Sequence, residues 1–110
     1  MEYIMRNFSR EFLQKNQFRY KSYLSEYEDE VYTYIFPVYF YRQTATIECE
    51  IAVSATSGAV NVNVYNAGIK ELYAAYYNRD FGKYEIIESI DTRINKKLTE
   101  LGIKNKNIKP

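Results

Sequence analysis

Ile47-Glu48-Cys49-Glu50-Ile51-Ala52-Val53-Ser54-Ala55-Thr56-Ser57-Gly58-Ala59-Val60-Asn61-Val62-Asn63-Val64 is the stretch whose reading decides the fold. In its first half Ile47, Cys49, Ile51 and Val53 alternate with Glu48, Glu50 and Ala52; in its second half Val60, Val62 and Val64 alternate with Asn61 and Asn63. Side chains along a strand point alternately to opposite faces, so a period of two marks two strands, each with one buried face. Between them Ala55 to Gly58 make a connection whose glycine supplies the positive φ that closes such hairpins. Pairing Val53 with Val60 sets Ile51 against Val62 and Cys49 against Val64, a wholly apolar face.

The same period extends upstream. A turn at Gln43-Thr44 places Phe40, Val38, Phe36 and Tyr34 opposite Ile47, Cys49, Ile51 and Val53, whereas a one-residue slip would set Glu48 and Glu50 against those aromatics. A turn at Glu28-Asp29-Glu30 then places Phe18, Tyr20, Ser22 and Leu24 opposite Phe40, Val38, Phe36 and Tyr34. Pro37 sits uneasily in such a strand, since it donates no ladder hydrogen bond, and implies a bulge or an unpaired stretch.

Outside the strands the period lengthens. Ile4, Phe8 and Phe12 stand four apart within residues 2–16, one face of an amphipathic helix. After the break at Asn66-Ala67-Gly68, residues Ile69, Leu72, Tyr73 and Tyr76 share one side of a short helical segment. From Tyr84 to Leu101 the apolar residues Ile87, Ile90, Ile94, Leu98 and Leu101 recur every three or four positions, and Gly102 stands where a C-cap glycine belongs. The expected fold is α+β: an N-terminal helix, a four-stranded antiparallel meander and two C-terminal helices, with helices packed on one sheet face. Residues 1–103 are read as one domain and 104–110 as a basic tail. This order of elements resembles small inhibitor and regulator folds, cystatin-like ones included, and implies no role for any residue.

Once the apolar face is assigned, the other face follows by parity. Arg19, Tyr39, Glu48 and Tyr65 are expected in one cross-strand row, Lys21, Pro37, Glu50 and Asn63 in the next, and Tyr23, Ile35, Ala52 and Asn61 in a third, with Tyr41, Val31 and Tyr27 extending it. The chain holds 13 tyrosines. Codon bias in an AT-rich genome accounts for abundance but not for their crowding between Tyr20 and Tyr41, so position is what carries information. On this register Tyr20, Tyr32 and Tyr34 belong to the core, and Tyr23, Tyr27, Tyr39, Tyr41 and Tyr65 to the outer face. A surface mixing tyrosines with arginine and carboxylates has the composition of protein interfaces.

Much chemistry is disfavoured. With no histidine the usual general base and metal ligand is missing, so the chain is read as non-catalytic, with no metal and no cofactor. Cys49, pointing to the core, reads as a small buried hydrophobe. Glu48 and Glu50 lie about 6.5 to 7 Å apart along one strand, as any such pair does, and read as interface charges. The scattered glycines form no phosphate-binding loop. The N-terminus has no apolar signal region, no apolar run is long enough for a membrane helix, and one cysteine precludes an internal disulfide, so a soluble cytoplasmic protein is expected.

These readings converge on a non-catalytic interaction module that binds another protein through Arg19, Lys21, Tyr23, Ile35, Tyr39, Tyr41, Glu48, Glu50 and Tyr65. Size and composition suggest a small inhibitor, immunity or counter-defence protein of a phage or bacterial mobile element. Single-stranded nucleic acid on the same face is the alternative, disfavoured by Glu48, Glu50 and a net charge of +1. A homodimer through that face is a third reading.

Overall fold

The computed structural model describes residues 3–21, 30–69, 71–78 and 83–105. Along them run β1 (Tyr3–Met5), α1 (Arg10–Lys15), β2 (Arg19–Tyr20), β3 (Val31–Tyr41), β4 (Thr44–Ser54), β5 (Ala59–Asn66), β6 (Glu71–Leu72), α2 (Ala74–Tyr77), α3 (Tyr84–Glu100) and β7 (Ile103–Asn105). The fold is α+β, but the expected meander of four strands is a mostly antiparallel sheet of seven, ordered β2-β3-β4-β5-β1-β7 with β6 also on β5. The chain divides into two compact units: Met1–Tyr34, Ile51–Val62 and Leu98–Pro110 form one, Ile35–Glu50 and Asn63–Lys97 the other.

In the first unit Met5, Leu13, Phe18, Tyr32, Ile51, Val53, Val60, Leu98, Leu101 and Ile103 are buried. The helix expected over residues 2–16 is only its second half. Ser9 starts α1, its hydroxyl oxygen accepting the Phe12 N–H at 3.2 Å, as an N-cap serine does. Ahead of it, Tyr3–Met5 is a strand: Tyr3 lies opposite Val60 on one side and Asn105 on the other, and Met5 lies opposite Ile103. Such a short strand shows no period of its own, and its partners are remote in sequence. At its C-terminal neighbour, β7 takes in Lys104 and Asn105, which the sequence assigns to the tail.

The hairpin loop between β4 and β5 is Ala55 to Gly58, as expected. The Ser54 hydroxyl accepts the N–H groups of Thr56 and Ser57, each at 3.2 Å, which satisfies a buried polar side chain inside the turn. Gly58, at φ +79°, donates to the Ser54 carbonyl and accepts from the Met5 N–H, both at 2.9 Å. The turn therefore also anchors β1.

The expected register of the first long strand is overturned. Arg19 stands opposite Thr33 and Tyr20 opposite Tyr32, not opposite Tyr39 and Val38. Phe18 is caught directly after α1, its N–H donating to the Leu13 carbonyl at 2.9 Å, and this fixes where β2 begins. Tyr20, expected in the core, is 50% exposed, its ring edge-on to Tyr32 at 5.7 Å. Glu30 pairs with Arg10 through its carboxylate and leads into β3, while the rest of the turn expected at Glu28-Asp29-Glu30 lies outside the described residues. Ser22, Tyr23, Leu24, Tyr27, Glu28 and Asp29 lie outside the described residues.

The second unit is built on Phe36, Val38, Ile47, Cys49, Val64, Ile87, Ile90 and Ile94, all buried. Its turn is Arg42-Gln43, one residue earlier than expected, with φ of 49° and 68°, the signature of a type I′ hairpin. A two-residue loop at this point shifts every expected β3–β4 partner by two. The side-chain period is also two, so each residue keeps its face. α3 fulfils the spacing argument: Ile87, Ile90 and Ile94, and beyond them Leu98 and Leu101, are all buried. Burying each such side chain contributes roughly 1.5 to 3 kcal/mol. Gly102, at φ +70°, ends the helix, its N–H donating to the Thr99 carbonyl at 3.1 Å.

Candidate interaction surface

Four of the expected surface residues come from β3 and β5 of the second unit, and two more from β4. Ile35, Tyr39 and Tyr41 alternate along β3 with buried Phe36 and Val38, so they occupy the face turned away from the core. Ile35 is 47% and Tyr41 58% exposed, while Tyr39, Glu48, Glu50 and Tyr65 are half-buried. The Ala67 N–H donates to the Thr46 carbonyl at 3.0 Å, which sets those two residues opposite each other. Counting along both strands from there puts Glu48 beside Tyr65 and Glu50 beside Asn63, the pairing read from the sequence.

On the β3 side the two-residue turn brings Thr46, not Glu48, beside Tyr39, and Glu50 beside Ile35. Pro37 belongs to a stretch of β3 beyond Thr33, the last residue that β2 pairs with among the described residues. A missing N–H costs no ladder bond at such an edge, and the proline needs no bulge to be tolerated.

The remaining expected residues separate. Arg19 and Lys21 belong to the first unit, Arg19 exposed opposite Thr33 and Lys21 donating its N–H to the Val31 carbonyl at 2.8 Å. Tyr23 lies outside the described residues. Arg19, expected in the row of Glu48, and Lys21, expected in that of Glu50, are thus not there, and among the described residues neither Glu48 nor Glu50 has an ion-pair partner.

Cys49 contributes no reactive thiolate. It is fully buried, and burial, reinforced by the neighbouring Glu50 charge, pushes its thiol pKa up to about 12. Among the described residues no three His, Cys, Asp or Glu side chains gather as a metal site would require, and no helix is long and apolar enough to cross a membrane.

Sequence reasoning missed the use made of the tyrosines after β5. Tyr73 and Tyr76 were read only as one side of a short helical segment and Tyr77 was not singled out, yet the Tyr77 hydroxyl accepts the Val64 N–H at 2.9 Å, and the Tyr73 N–H donates to the Val64 carbonyl at 2.8 Å. Tyr76 donates its hydroxyl proton to Asp91 at 2.7 Å and packs edge-on against Tyr77 at 5.5 Å. These residues complete the edge of β5 where β6 stops. A local pattern shows apolar character but not a hydroxyl reaching a strand remote in sequence.

Comparison of the chain with protein-family models, with curated proteins and with solved structures finds no match.

Proposed function

We propose that the protein is a non-catalytic interaction module that binds a partner protein through the outer face of the second unit, with Ile35, Tyr39, Tyr41, Glu48, Glu50 and Tyr65 as its contact residues. The observation that carries this reading is the pairing of exposed apolar surface with unpaired charge on one sheet face. Ile35 and Tyr41 keep about half their surface in solvent on a face that also carries two carboxylates with no ion-pair partner among the described residues. A rigid tyrosine orders at small entropic cost and brings a large contact area, which is why aromatic residues dominate binding energetics. The carboxylates select for a partner with arginine or lysine opposite them.

The small size and composition support a role as an inhibitor, immunity or counter-defence protein of a phage or mobile element, acting in the cytoplasm. Affinity capture with the wild-type chain, repeated with Tyr39→Ala and with Glu48→Gln/Glu50→Gln, tests the surface. Loss of about 2 kcal/mol at a hot-spot tyrosine weakens binding roughly 30-fold. Undiminished capture by both variants would remove the outer face from consideration. A homodimer through the same face predicts sedimentation as a dimer at micromolar concentration, reversed by Tyr39→Ala.

A further inference from the structure

The outer face of the second unit extends one strand further than the contact residues named above. Leu72 lies opposite Tyr65 across β5 and β6, and residues opposite each other in an antiparallel pair share a face. Glu48, Tyr65 and Leu72 therefore form one cross-strand row. Leu72 is 48% exposed, matching Ile35 at 47%. The face thus carries exposed apolar side chains at both edges, Ile35 and Tyr41 on β3 and Leu72 on β6, with Glu48 and Glu50 on β4 between them.

That arrangement selects among occupants. A second copy of the chain meeting this face isologously brings two more carboxylates against two that already have no ion-pair partner among the described residues. Arg42, at the hairpin tip, is engaged with the Tyr41 ring, its guanidinium carbon 5.3 Å from the centroid. A single extended segment fits no better. The hydrogen-bonding groups of a sheet point along its plane, so a strand laid flat on the face finds no partners for its own backbone. A helix satisfies its backbone internally.

Spacing agrees with a helix. Glu48 and Glu50 stand about 6.5 to 7 Å apart along β4, and side chains four apart on a helix are separated by about 6 Å along its axis. From β3 to β6 the face spans roughly 14 Å, three strand spacings, which seats one helix of about 10 Å diameter. Resting on the outer face being the binding surface proposed above, we infer that the partner docks an amphipathic helix along β4, two lysines or arginines one turn apart meeting Glu48 and Glu50, and flanking apolar side chains meeting Ile35 on one side and Leu72 on the other.

The test is fluorescence anisotropy with a labelled alanine-based peptide of about 18 residues, long enough to be helical, bearing two lysines four apart with leucines on both sides of the lysine stripe. Its control has the same composition, the second lysine exchanged with the alanine two positions before it, which turns that cation to the opposite side of the helix. Affinity should fall roughly fivefold for the control peptide and for Glu48→Gln/Glu50→Gln, and several-fold for Leu72→Ser, each variant first shown to keep the wild-type far-UV spectrum. Ile4→Ser, the loss of a comparably exposed apolar side chain from the first unit, should leave it unchanged. Equal affinity for the two peptides, or binding of neither, overturns the helical occupant. So does binding that Glu48→Gln/Glu50→Gln and Leu72→Ser leave unaltered. Affinity capture separates this failure from that of the surface itself: capture that depends on Tyr39 while neither peptide binds keeps the surface and removes the helix, whereas capture indifferent to Tyr39, Glu48 and Glu50 removes both.

Discussion

A methyl group built on Gly58 would stand 2.6 Å from a ring carbon of Phe8 and 3.0 Å from the Met5 carbonyl oxygen, whereas one built on Gly102 would meet nothing within 4 Å. Both glycines have positive φ, +79° and +70°, so alanine at either costs about 1 kcal/mol in backbone strain. Gly58→Ala adds overpacking against a backbone oxygen that cannot move without displacing β1, and should lose about 3 kcal/mol in total. Urea melts of the two variants check this; equal losses would mean that Phe8 simply moves aside. At Cys49 the signature is pH. A thiol whose pKa rises from 9.0 unfolded to about 12 folded stabilises the protein fully below pH 9. That contribution is lost as pH climbs between those values, at roughly 1.4 kcal/mol per pH unit. The reading is the difference between wild type and Cys49→Val, whose stability should fall less steeply above pH 9.

At the scale of the element, the Arg42-Gln43 turn holds two non-glycine residues in the left-handed region. Replacing them with Asn-Gly should stabilise the hairpin by about 1 to 2 kcal/mol, read from the shift in urea midpoint. β7 gives a complementary contrast: Ile103 is 5% exposed and Lys104 is exposed, so Ile103→Ala should cost about 2 to 4 kcal/mol and Lys104→Ala under about 0.5. What the sequence revealed divides along the same line. α3 and the β4–β5 hairpin were legible because each repeats its period often enough to be unambiguous, and the apolar faces of β3, β4 and β5 survived a misplaced turn because parity is insensitive to a two-residue shift. β1, β6 and β7 were not legible, since strands of two or three residues owe their existence to partners elsewhere in the chain. β2 misled for a related reason: Phe18 is buried, as its apolar character suggested, but its N–H is held by the Leu13 carbonyl of α1 and its ring packs on Tyr34, which sets Arg19 opposite Thr33 instead of Tyr39. The candidate surface was half-legible in consequence: Tyr39, Tyr41 and Tyr65 alternate with buried neighbours as the period implied, whereas Arg19 pairs elsewhere and Tyr23 lies outside the described residues.

At the scale of the whole molecule, a net charge of +1 conceals a local imbalance, Glu48 and Glu50 standing on one side of the second unit's strands with no ion-pair partner among the described residues. The division into two units also conceals a continuity: β3, β4, β5 and α3 each contribute residues to both. If one unit opened alone it would break four elements in mid-length and expose Val38 and Cys49, or Ile51 and Val53, all of them fully buried. Losing that apolar burial on top of the broken ladders costs far more than a local opening recovers in chain entropy, so unfolding should be a single cooperative transition. Cys49 lies in the second unit and is the only cysteine, so a thiol reagent reports on that unit alone, while far-UV circular dichroism reports on every element. In urea, pulse labelling of Cys49 and loss of the far-UV signal should share one midpoint. Labelling that is complete at a denaturant concentration where the far-UV signal is still largely native would show that the second unit opens by itself, and that the continuity of the shared strands does not enforce cooperativity.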